Sequence, residues 1–317
     1  MVRNILKYLR SISLLNGLIR GMLRIIPGIV YHLESHWRIF GQVTVDFEGQ
    51  PLTFYTAGDD DIVDTLYYQK NYAEQNEIHL FYHLAQRAKT IIDVGANTGV
   101  YTLISAIANR EATVYAFEPN PVNHARLLQN IGLNGLSNVR VEQQAVGNTT
   151  APITFHVPAG TRISYTSSVV AAFSHSTHEG KLQWKEITVP QVTLDAYTAI
   201  HSTGVDLLKI DVENYEMSLF EGAKNFFGRN SPVVLCEIFL DDERLLYFQQ
   251  FLRKYEYTAY AVLNDGILRL GDTLERGFVT NNFLFAPRKT SSVFTPYVLM
   301  DKLCWELCGT SSKLAAG

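Results

Sequence analysis

The chain has 317 residues, of which 47% are hydrophobic and 18% are charged, and its 27 basic and 31 acidic side chains give a net charge of −4. This composition is typical of a globular protein and excludes a disordered chain, a collagen-like repeat and a coiled coil. The negative net charge argues against a nucleic-acid-binding protein, which usually carries an excess of basic residues. Three cysteines are too few for a disulfide framework and favour a reducing compartment.

Residues 1–33 carry five basic side chains and no acidic one, and most of their apolar residues fall on the opposite side of a helix. We predict an N-terminal region, residues 1–60, made of this basic amphipathic helix and a hairpin that turns at Glu48-Gly49. The helix is too interrupted by charges to supply the roughly 20 apolar residues of a membrane span. Two alternatives stay open: it packs on the protein body or on a second subunit, or it lies on an anionic membrane surface. The expected location is the cytoplasm and, in the second case, the membrane surface.

From Thr90 onward, short apolar strands alternate with helices. Strands are predicted over Thr90–Val94, Thr113–Phe117, Val139–Glu142, Val205–Asp211, Pro232–Phe239, Thr258–Leu263 and Phe283–Ala286. The helices between them include Val100–Ala108, one that begins at Asn120-Pro121, one that runs through Phe227 to a stop at Gly228, and one from Asp242 to Tyr255. This alternation predicts an α/β fold with a mostly parallel, seven-stranded sheet and helices on both faces. The domain would span residues 61–290, and residues 291–317 would form a C-terminal tail.

Residues 151–192 interrupt this alternation between the third and fourth strands. A long connection inside a compact domain is usually either functional or loosely ordered. Pro152–Val157 and Glu186–Val192 can pair as a stem, and Thr161–His178 contains eight Ser or Thr residues, which suit the hydroxyl groups of a sugar. We predict that this insertion is a lid over an acceptor site, and the alternative is a peripheral hairpin at the sheet edge.

The segment Asp93-Val-Gly-Ala-Asn-Thr-Gly99 follows a strand and opens a helix. Gly95 and Gly99 permit a tight turn, and Asp93 puts a carboxylate at the carboxyl end of the strand, where open α/β sheets bind ligands. A pyrophosphate-binding loop would have the pattern G-x-G-x-x-G, but Asn97 stands where its second glycine would be. A ligand with an ammonium or sulfonium group therefore suits this loop better than a phosphate.

The second strand is followed directly by Glu118-Pro119-Asn120. An acidic residue about 20 residues beyond a glycine loop can accept two hydrogen bonds from ribose hydroxyls. Glu118 can equally cap the helix that begins at Pro121, and the two roles are compatible. The two motifs together predict a nucleoside-containing cofactor whose adenine lies near Ala145, after the third strand.

Four segments together resemble the FkbM-type methyltransferases: Asp93–Gly99, Phe117–Asn120, Thr193–Asp195 and Leu208–Glu216. The resemblance extends over residues 70–287. It implies a class I, Rossmann-like fold that uses S-adenosyl-L-methionine, usually to methylate a hydroxyl of a sugar or natural product. The chain departs from the family pattern at Asn214, which replaces a glycine, and at Phe239, where a histidine is common. Asn tolerates a left-handed backbone better than most residues do.

The resemblance also implies which residues hold the ligands. The loop would hold the amino-acid half of the cofactor, Glu118 its ribose, and Ala145 would lie near its adenine. The implied cofactor-binding residues are Asp93, Gly95, Ala96, Asn97, Thr98, Gly99, Glu118, Pro119 and Ala145. The expected acceptor-binding residues are Ser167, Ser168 and Glu216.

Lys209 and Asp211 alternate on one face of a strand that helices should cover on both faces, so Lys209 needs a partner, which Asp211 or Glu237 can supply. Asp211, Glu213 and Glu216 crowd three carboxylates around the end of this strand, where methyl donor and acceptor would meet. We predict that Asp211 is the general base, that Glu213 positions the acceptor and that Lys209 fixes Asp211. The alternative for Glu213 and Glu216 is that they merely favour the N-terminus of the next helix.

No metal site is assigned, although oxygen ligands suit Mg²⁺ and the sequence does not decide whether a divalent ion is needed.

The predicted function is S-adenosylmethionine-dependent O-methyl transfer to a hydroxyl of a glycan, a lipid-linked sugar or a natural product. The expected partner is accordingly a small-molecule or glycan acceptor and not a nucleic acid. The alternatives are an NAD-dependent oxidoreductase, which the missing G-x-G-x-x-G disfavours, and a non-catalytic cofactor-binding protein on the same fold.

Overall fold

The structure is a computed structural model that describes residues 8–12, 15–19, 21, 38–68, 75–160, 162–165, 167–170, 183–201, 204–264, 266–277, 280–290 and 298–301. Of the predicted N-terminal helix, residues 8–10 and 15–19 are helical, and most of the rest of that segment lies outside the described residues. Its membrane or subunit contact therefore stays a prediction. None of the helices in the described part of the chain has the length and apolarity that a membrane span requires.

The predicted hairpin is confirmed: β1 (Phe40–Phe47) and β2 (Gln50–Ala57) pair antiparallel around a two-residue turn. Glu48 and Gly49 have φ values of 52° and 73°, as the tight hairpin turns that match strand twist require. Two helices follow, α1 (Asp61–Tyr68) and α2 (Gln75–Ala85).

The remaining elements alternate as the sequence predicts, with extra strands in the insertion and at the C-terminal end. In chain order they are β3 (Thr90–Val94), α3 (Val100–Ala108), β4 (Thr113–Phe117), α4 (Pro121–Leu133), β5 (Val139–Glu142), β6 (Ala145–Val146), β7 (Ile153–Pro158), β8 (Trp184–Val189), β9 (Gln191–Val192), α5 (Leu194–His201), β10 (Leu207–Ile210), α6 (Glu216–Glu221), α7 (Lys224–Arg229), β11 (Val233–Glu237), α8 (Asp242–Lys254), β12 (Tyr257–Leu263), β13 (Gly266–Gly271), β14 (Asn282–Pro287) and β15 (Val298–Asp301).

One nine-stranded sheet organises the domain, in the order β15-β13-β12-β14-β11-β10-β3-β4-β5. Strands β5, β4, β3, β10 and β11 pair parallel, and β14 pairs antiparallel with both β11 and β12, so that β12 runs in the direction of β11. These seven strands are the predicted sheet, and the α/β, Rossmann-like fold class is confirmed. Strands β13 and β15 extend it at one edge, so residues 298–301 of the predicted tail belong to the sheet.

Helices cover both faces of the sheet, as the continuous apolar strands require. Ile91 and Ile92, adjacent on β3, are both buried but belong to different hydrophobic clusters. The Ile91 cluster includes the hairpin and side chains of α1 to α4, and the Ile92 cluster includes side chains of α5 to α8. Since successive side chains of a strand point to opposite faces, the two clusters lie on opposite sides of the sheet.

One predicted helix is wrong: the single helix through Phe227 with a stop at Gly228 is two short helices, α6 and α7, and Gly228 lies inside the second. The break falls at Gly222, where an added Cβ would lie 2.0 Å from the Gly147 carbonyl oxygen. This close approach is a tertiary contact, which local helix signals do not reveal. Asp195 accepts hydrogen bonds from the backbone N–H groups of Asn225 and Phe226 and so caps α7 from another element.

The predicted stem of the insertion is confirmed, because β7 and β8 pair antiparallel from Ile153↔Val189 to Pro158↔Trp184. Ser168 returns to this hairpin through a bridge with His156. Of the segment between the two strands, residues 162–165 and 167–170 are described, and the rest of the predicted tip, including residues 171–178, lies outside the described residues.

Candidate active site

A cleft of about 370 Å³ lies where β3, β4, β10 and β11 reach their carboxyl ends. This volume falls in the range of pockets that bind small molecules. The loops after these strands line it, together with Ser164, Tyr165, Ser167 and Val169 of the insertion. The described part of the insertion therefore lies at the cleft and not only at the sheet edge.

A glycine is required at position 95 because the loop after β3 passes very close to the loop after β10. Gly95 has a φ of 83°, and an added Cβ would lie 1.7 Å from the carbonyl oxygen of Asp211. Any other residue would push apart the two loops that form the cleft floor. Asn97 and Gly99 also have positive φ, of 50° and 101°, and the loop residues Gly95, Ala96, Asn97 and Thr98 line the cleft.

Asp93 lies beneath this loop and outside the cleft lining. Its carboxylate is 1% exposed and accepts a 2.5 Å hydrogen bond from the Thr102 hydroxyl. Burial raises the pKa of Asp93 to about 6, against the lowering effect of the Thr102 hydrogen bond. The side chain of Asp93 packs toward α3 and supports the loop; its role in holding the cofactor stays a prediction.

Glu118 lies in the cleft and joins the two loops. Its carboxylate accepts 2.8 Å hydrogen bonds from the backbone N–H groups of Asn97 and Asn120. Burial raises the pKa of Glu118 to about 7, while the two backbone hydrogen bonds lower it. Asn120 caps the helix that begins at Pro121, as the Asn120-Pro121 motif predicts, because its side chain accepts from the Val122 N–H.

The side-chain oxygen of Asn97 is buried and has no hydrogen-bond partner among the described residues. Its side-chain nitrogen points to the carbonyl oxygen of Ser164, 3.4 Å away. A buried acceptor without a donor is costly unless a ligand supplies one. This free oxygen, at the edge of a cleft, fits the ammonium group of an amino-acid ligand.

Ala145 lies in the cleft, where the sequence predicts the adenine. Gln144 and Phe155 line the same region, and Pro119 lies across from them after β4. Gln144 directly precedes Ala145, and Phe155 belongs to the predicted lid, residues 151–192.

Lys209 is buried on β10, with 2% of its side chain exposed. Its ammonium nitrogen lies 3.4 Å from the Asp211 carboxylate, 3.7 Å from the Glu77 carboxylate and 4.8 Å from the centre of the Tyr101 ring. Burial alone would lower the pKa of Lys209, but Asp211, Glu77 and Glu237 together raise it above its ordinary value. Lys209 is therefore a permanent cation at the cleft wall.

Glu77 and Tyr101 were missed by the sequence interpretation. The Tyr101 hydroxyl donates a 2.6 Å hydrogen bond to Glu77, which is 2% exposed on α2. The available signal was a glutamate on the apolar face of a predicted helix, four residues before Phe81. A buried acid on such a face needs a partner, and Lys209 is that partner.

The three carboxylates of Asp211, Glu213 and Glu237 face the cleft around Lys209. Asp211 keeps one third of its side chain, 33%, exposed. Burial first, and then the neighbouring Asp211, Glu237 and Glu216, raise the pKa of Glu213 to about 10. This raised pKa favours the protonated form of Glu213, beside the more exposed Asp211. The backbone at Glu213 and Asn214 is left-handed, with φ values of 54° and 71°, which fits the asparagine in place of a glycine.

Of the three predicted acceptor-binding residues, Ser167 lines the cleft, whereas Ser168 and Glu216 do not. Ser167 lines the cleft and accepts a 3.0 Å hydrogen bond from the Asn120 side chain. Ser168 is buried, donates to the Glu213 carbonyl oxygen at 2.6 Å and accepts from the Val170 N–H, so it fastens the insertion to the loop after β10. Glu216 is 2% exposed outside the cleft lining and accepts from the Asn214 N–H, as a residue that orders the start of α6 does.

In the described part of the chain, no group of three His, Cys, Asp or Glu side chains is arranged to hold a metal ion. Cys304 and Cys308 lie outside the described residues.

Comparison with known proteins places this site in one family. Residues 93–261 match the family model described as "Methyltransferase FkbM domain". The chain is 28% identical to Methyltransferase 1 of Beauveria bassiana over 152 residues, which are 42% of this chain and 57% of that protein. It is 29% identical to the hexuronic acid methyltransferase AglP of Haloferax volcanii over 160 residues, or 48% of this chain and 57% of that protein. The chain thus matches little more than half the length of either relative.

Among solved structures, the methyltransferase FkbM of Methylobacillus flagellatus superposes with a TM-score of 0.40 and 18% identity, covering 72% of this chain and 55% of that one. TYW2 of M. jannaschii, solved in complex with AdoMet, superposes with a TM-score of 0.38 and 12% identity, covering 78% of this chain and 87% of that one.

Proposed function

The chain belongs to the FkbM family of methyltransferases, and we propose that it transfers the methyl group of S-adenosyl-L-methionine to a hydroxyl group of a glycan, a lipid-linked sugar or a natural product. The observation that carries the proposal is the joint position of Asn97, Glu118 and the Lys209–Asp211 pair around one cleft. Family membership supports this function over an NAD-dependent oxidoreductase and over a non-catalytic protein.

The residues present fit the cofactor. The free side-chain oxygen of Asn97 can accept from its ammonium group, and each Glu118 oxygen keeps a lone pair for a ribose hydroxyl beyond its backbone hydrogen bond. Gln144, Ala145 and Phe155 provide an amide and apolar surface for its adenine. When bound, the cofactor supplies an electrophilic methyl group on a positively charged sulfur.

Asp211 is the proposed general base. In methyl transfer an O–CH₃ bond forms as the S–CH₃ bond breaks, and the hydroxyl proton must go to a nearby acceptor. Asp211 combines partial exposure with a fixed orientation, because Lys209 holds one of its oxygens at 3.4 Å. Glu213, whose raised pKa favours the protonated form, can donate a hydrogen bond to the acceptor and so position it, while Glu237 stays beside Lys209.

The insertion, residues 151–192, is the proposed lid over the acceptor. Ser164, Tyr165, Ser167 and Val169 already line the cleft, and Ser168 ties them to the Glu213 carbonyl oxygen. A lid held to the reaction centre in this way can exclude water and select the acceptor.

Isothermal titration calorimetry and a labelled-methyl assay test the proposal together. The wild-type protein should bind S-adenosylmethionine and S-adenosylhomocysteine but not NAD, and should label a hydroxyl-bearing acceptor from a glycan and lipid-linked sugar panel. Glu118→Gln should weaken S-adenosylhomocysteine binding at least about tenfold, since hydrogen bonds to a charged group contribute roughly 1.5–3 kcal/mol. Glu111→Gln, an exposed glutamate before β4, should change nothing. Binding of NAD alone would contradict the proposal.

A further inference from the structure

The wall of the cleft next to the reaction centre is acidic. Glu77, Asp211, Glu213 and Glu237 line it, and Lys209 is the sole basic residue among the described residues of the lining. Asp61 lines the cleft as well and pairs with Arg38. Arg and His are absent from that described lining. An acceptor that enters the cleft therefore meets carboxyl groups on this side.

Lys209 is not available to an acceptor. Its side chain is 2% exposed, and its ammonium group contacts Asp211, Glu77 and the face of Tyr101. A cation this buried, with two carboxylates within 4 Å, is already neutralised and is shielded from a third anion. The acidic wall thus lacks a counter-ion for an anionic group on the acceptor.

Glu77 has one oxygen left for a ligand. One oxygen accepts from the Tyr101 hydroxyl and faces Lys209, while the other is buried with no hydrogen-bond partner among the described residues. Its side chain is 3% exposed, yet it lines the cleft. A buried acceptor atom in this position is satisfied by a hydroxyl of the ligand and not by another acceptor. Glu77 also precedes the matched family region, residues 93–261.

We infer that Glu77 is a specificity-determining residue which, with this acidic wall, admits acceptors that are neutral next to the reacting hydroxyl and rejects those that carry a carboxylate or phosphate there. The inference rests on the proposed function and narrows its substrate class. A neighbouring hydroxyl donates to the free oxygen of Glu77, whereas an anionic group meets Glu77 and Asp211 without an accessible basic side chain. This selection is the opposite of the one that the name of the Haloferax volcanii relative implies.

The charge state of the wall agrees with this selection. Burial raises the pKa of Glu77, although Lys209 lowers it. Burial and the surrounding carboxylates raise the pKa of Glu213 to about 10. Carboxyl groups whose pKa values are raised by burial and by one another disfavour a further negative charge beside them.

The test compares two matched acceptor pools with labelled S-adenosylmethionine. One contains neutral methyl glycosides and disaccharides, and the other contains the same compounds with the primary alcohol oxidised to a carboxylate. The wild-type enzyme should label the neutral pool at least tenfold more. Glu77→Gln should narrow this ratio at least fivefold, because the amide keeps the Tyr101 contact but removes the charge. Glu77→Asp should keep the ratio above fivefold, and the exposed Glu111→Gln should match the wild type.

Asp61→Asn provides a second variant, because 62% of the Asp61 side chain is exposed and its carboxylate pairs with Arg38. The amide removes an acidic group from the cleft lining and releases the Arg38 guanidinium, so it should narrow the ratio at least twofold. Equal or greater labelling of the oxidised pool overturns the inference and leaves the proposed function standing. An unchanged ratio in both Glu77→Gln and Asp61→Asn also overturns it. If neither pool is labelled, the inference is overturned as well. Calorimetry with S-adenosylhomocysteine then shows whether the protein binds the proposed cofactor at all.

Discussion

Replacing Lys209 by methionine removes the cation that balances the buried carboxylates beside β10. The Nζ-to-oxygen distances of 3.4 Å to Asp211 and 3.7 Å to Glu77 correspond to about 4–5 kcal/mol of attraction each at an effective dielectric constant of about 20. The lost desolvation cost of the ammonium offsets much of this sum. Since breaking a buried ion pair costs about 3–5 kcal/mol, and Asp211 is one-third exposed, we expect Lys209→Met to lower the free energy of unfolding by about 3 kcal/mol at pH 8.

The sign of the pH dependence follows from Glu77. Burial raises its pKa in the folded protein above the ordinary value of 4.5, so its contribution to stability is full below that value and is lost as the pH rises through the folded pKa. Removing Lys209 takes away a cation that lowers this pKa, which therefore rises further. The defect of Lys209→Met should consequently be smaller at pH 5 than at pH 8.

Urea unfolding followed by circular dichroism at the two pH values measures both effects. In the double variant, Glu77→Gln should restore at least about 1 kcal/mol at pH 8, because no uncompensated charge is left on α2. A Lys209→Met protein within about 1 kcal/mol of the wild type at pH 8, or a double variant no more stable than the single one, would refute the assignment of Lys209 as the shared counter-ion.

Three further outcomes are expected. Asp211→Asn should lower methyl transfer by about 10²-fold or more while S-adenosylhomocysteine affinity, measured by calorimetry, stays within about threefold, because the amide keeps its shape but loses basicity; unchanged turnover would move the base elsewhere. Gly95→Ala should lose at least about 3 kcal/mol of stability, because its Cβ would collide with the Asp211 carbonyl oxygen. The control Gly132→Ala is exposed in α4 with nothing within 4 Å of the added Cβ, and it should gain about 0.5–1 kcal/mol. Equal melting temperatures for the two variants would contradict this contrast. Ser168→Ala should raise the acceptor KM by up to about tenfold through loss of the hydrogen bond to Glu213, and an unaltered KM would show that the insertion needs no such fastening.

The sequence by itself determined the elements whose signals are local. Strands β3, β4 and β5 and helix α3 have the predicted bounds. Short apolar runs that end at glycine, asparagine or proline can be recognised from a few neighbouring residues alone. The helix start at Asn120-Pro121 and the left-handed backbone at Asn214 follow from single residue types in the same way. The order of these signals along the chain was also enough to identify the family, since its motifs are short contiguous segments.

Only the tertiary structure decided which of the predicted site residues reach the cleft. Asp93 and Glu216 belong to motifs that were recognised, but their side chains point into the protein, toward Thr102 and the start of α6. The direction of a side chain beyond a strand end depends on how the following loop turns, and at β3 that turn is set by the approach of the Asp211 carbonyl oxygen to Gly95. A local pattern carries no information about such a contact.

The partner of Lys209 shows the same limit most clearly. The sequence required that this buried cation be paired, and nearby Asp211 was identified, but Glu77 lies on a helix far away in the chain, which the fold lays beside β10. Pairing of distant charges depends on which helix covers which face of the sheet, and that is settled by packing of the whole apolar core and not by any pattern within α2 or β10. The sequence therefore shows that Lys209 needs a counter-ion, whereas only the fold shows that Glu77 is one of them.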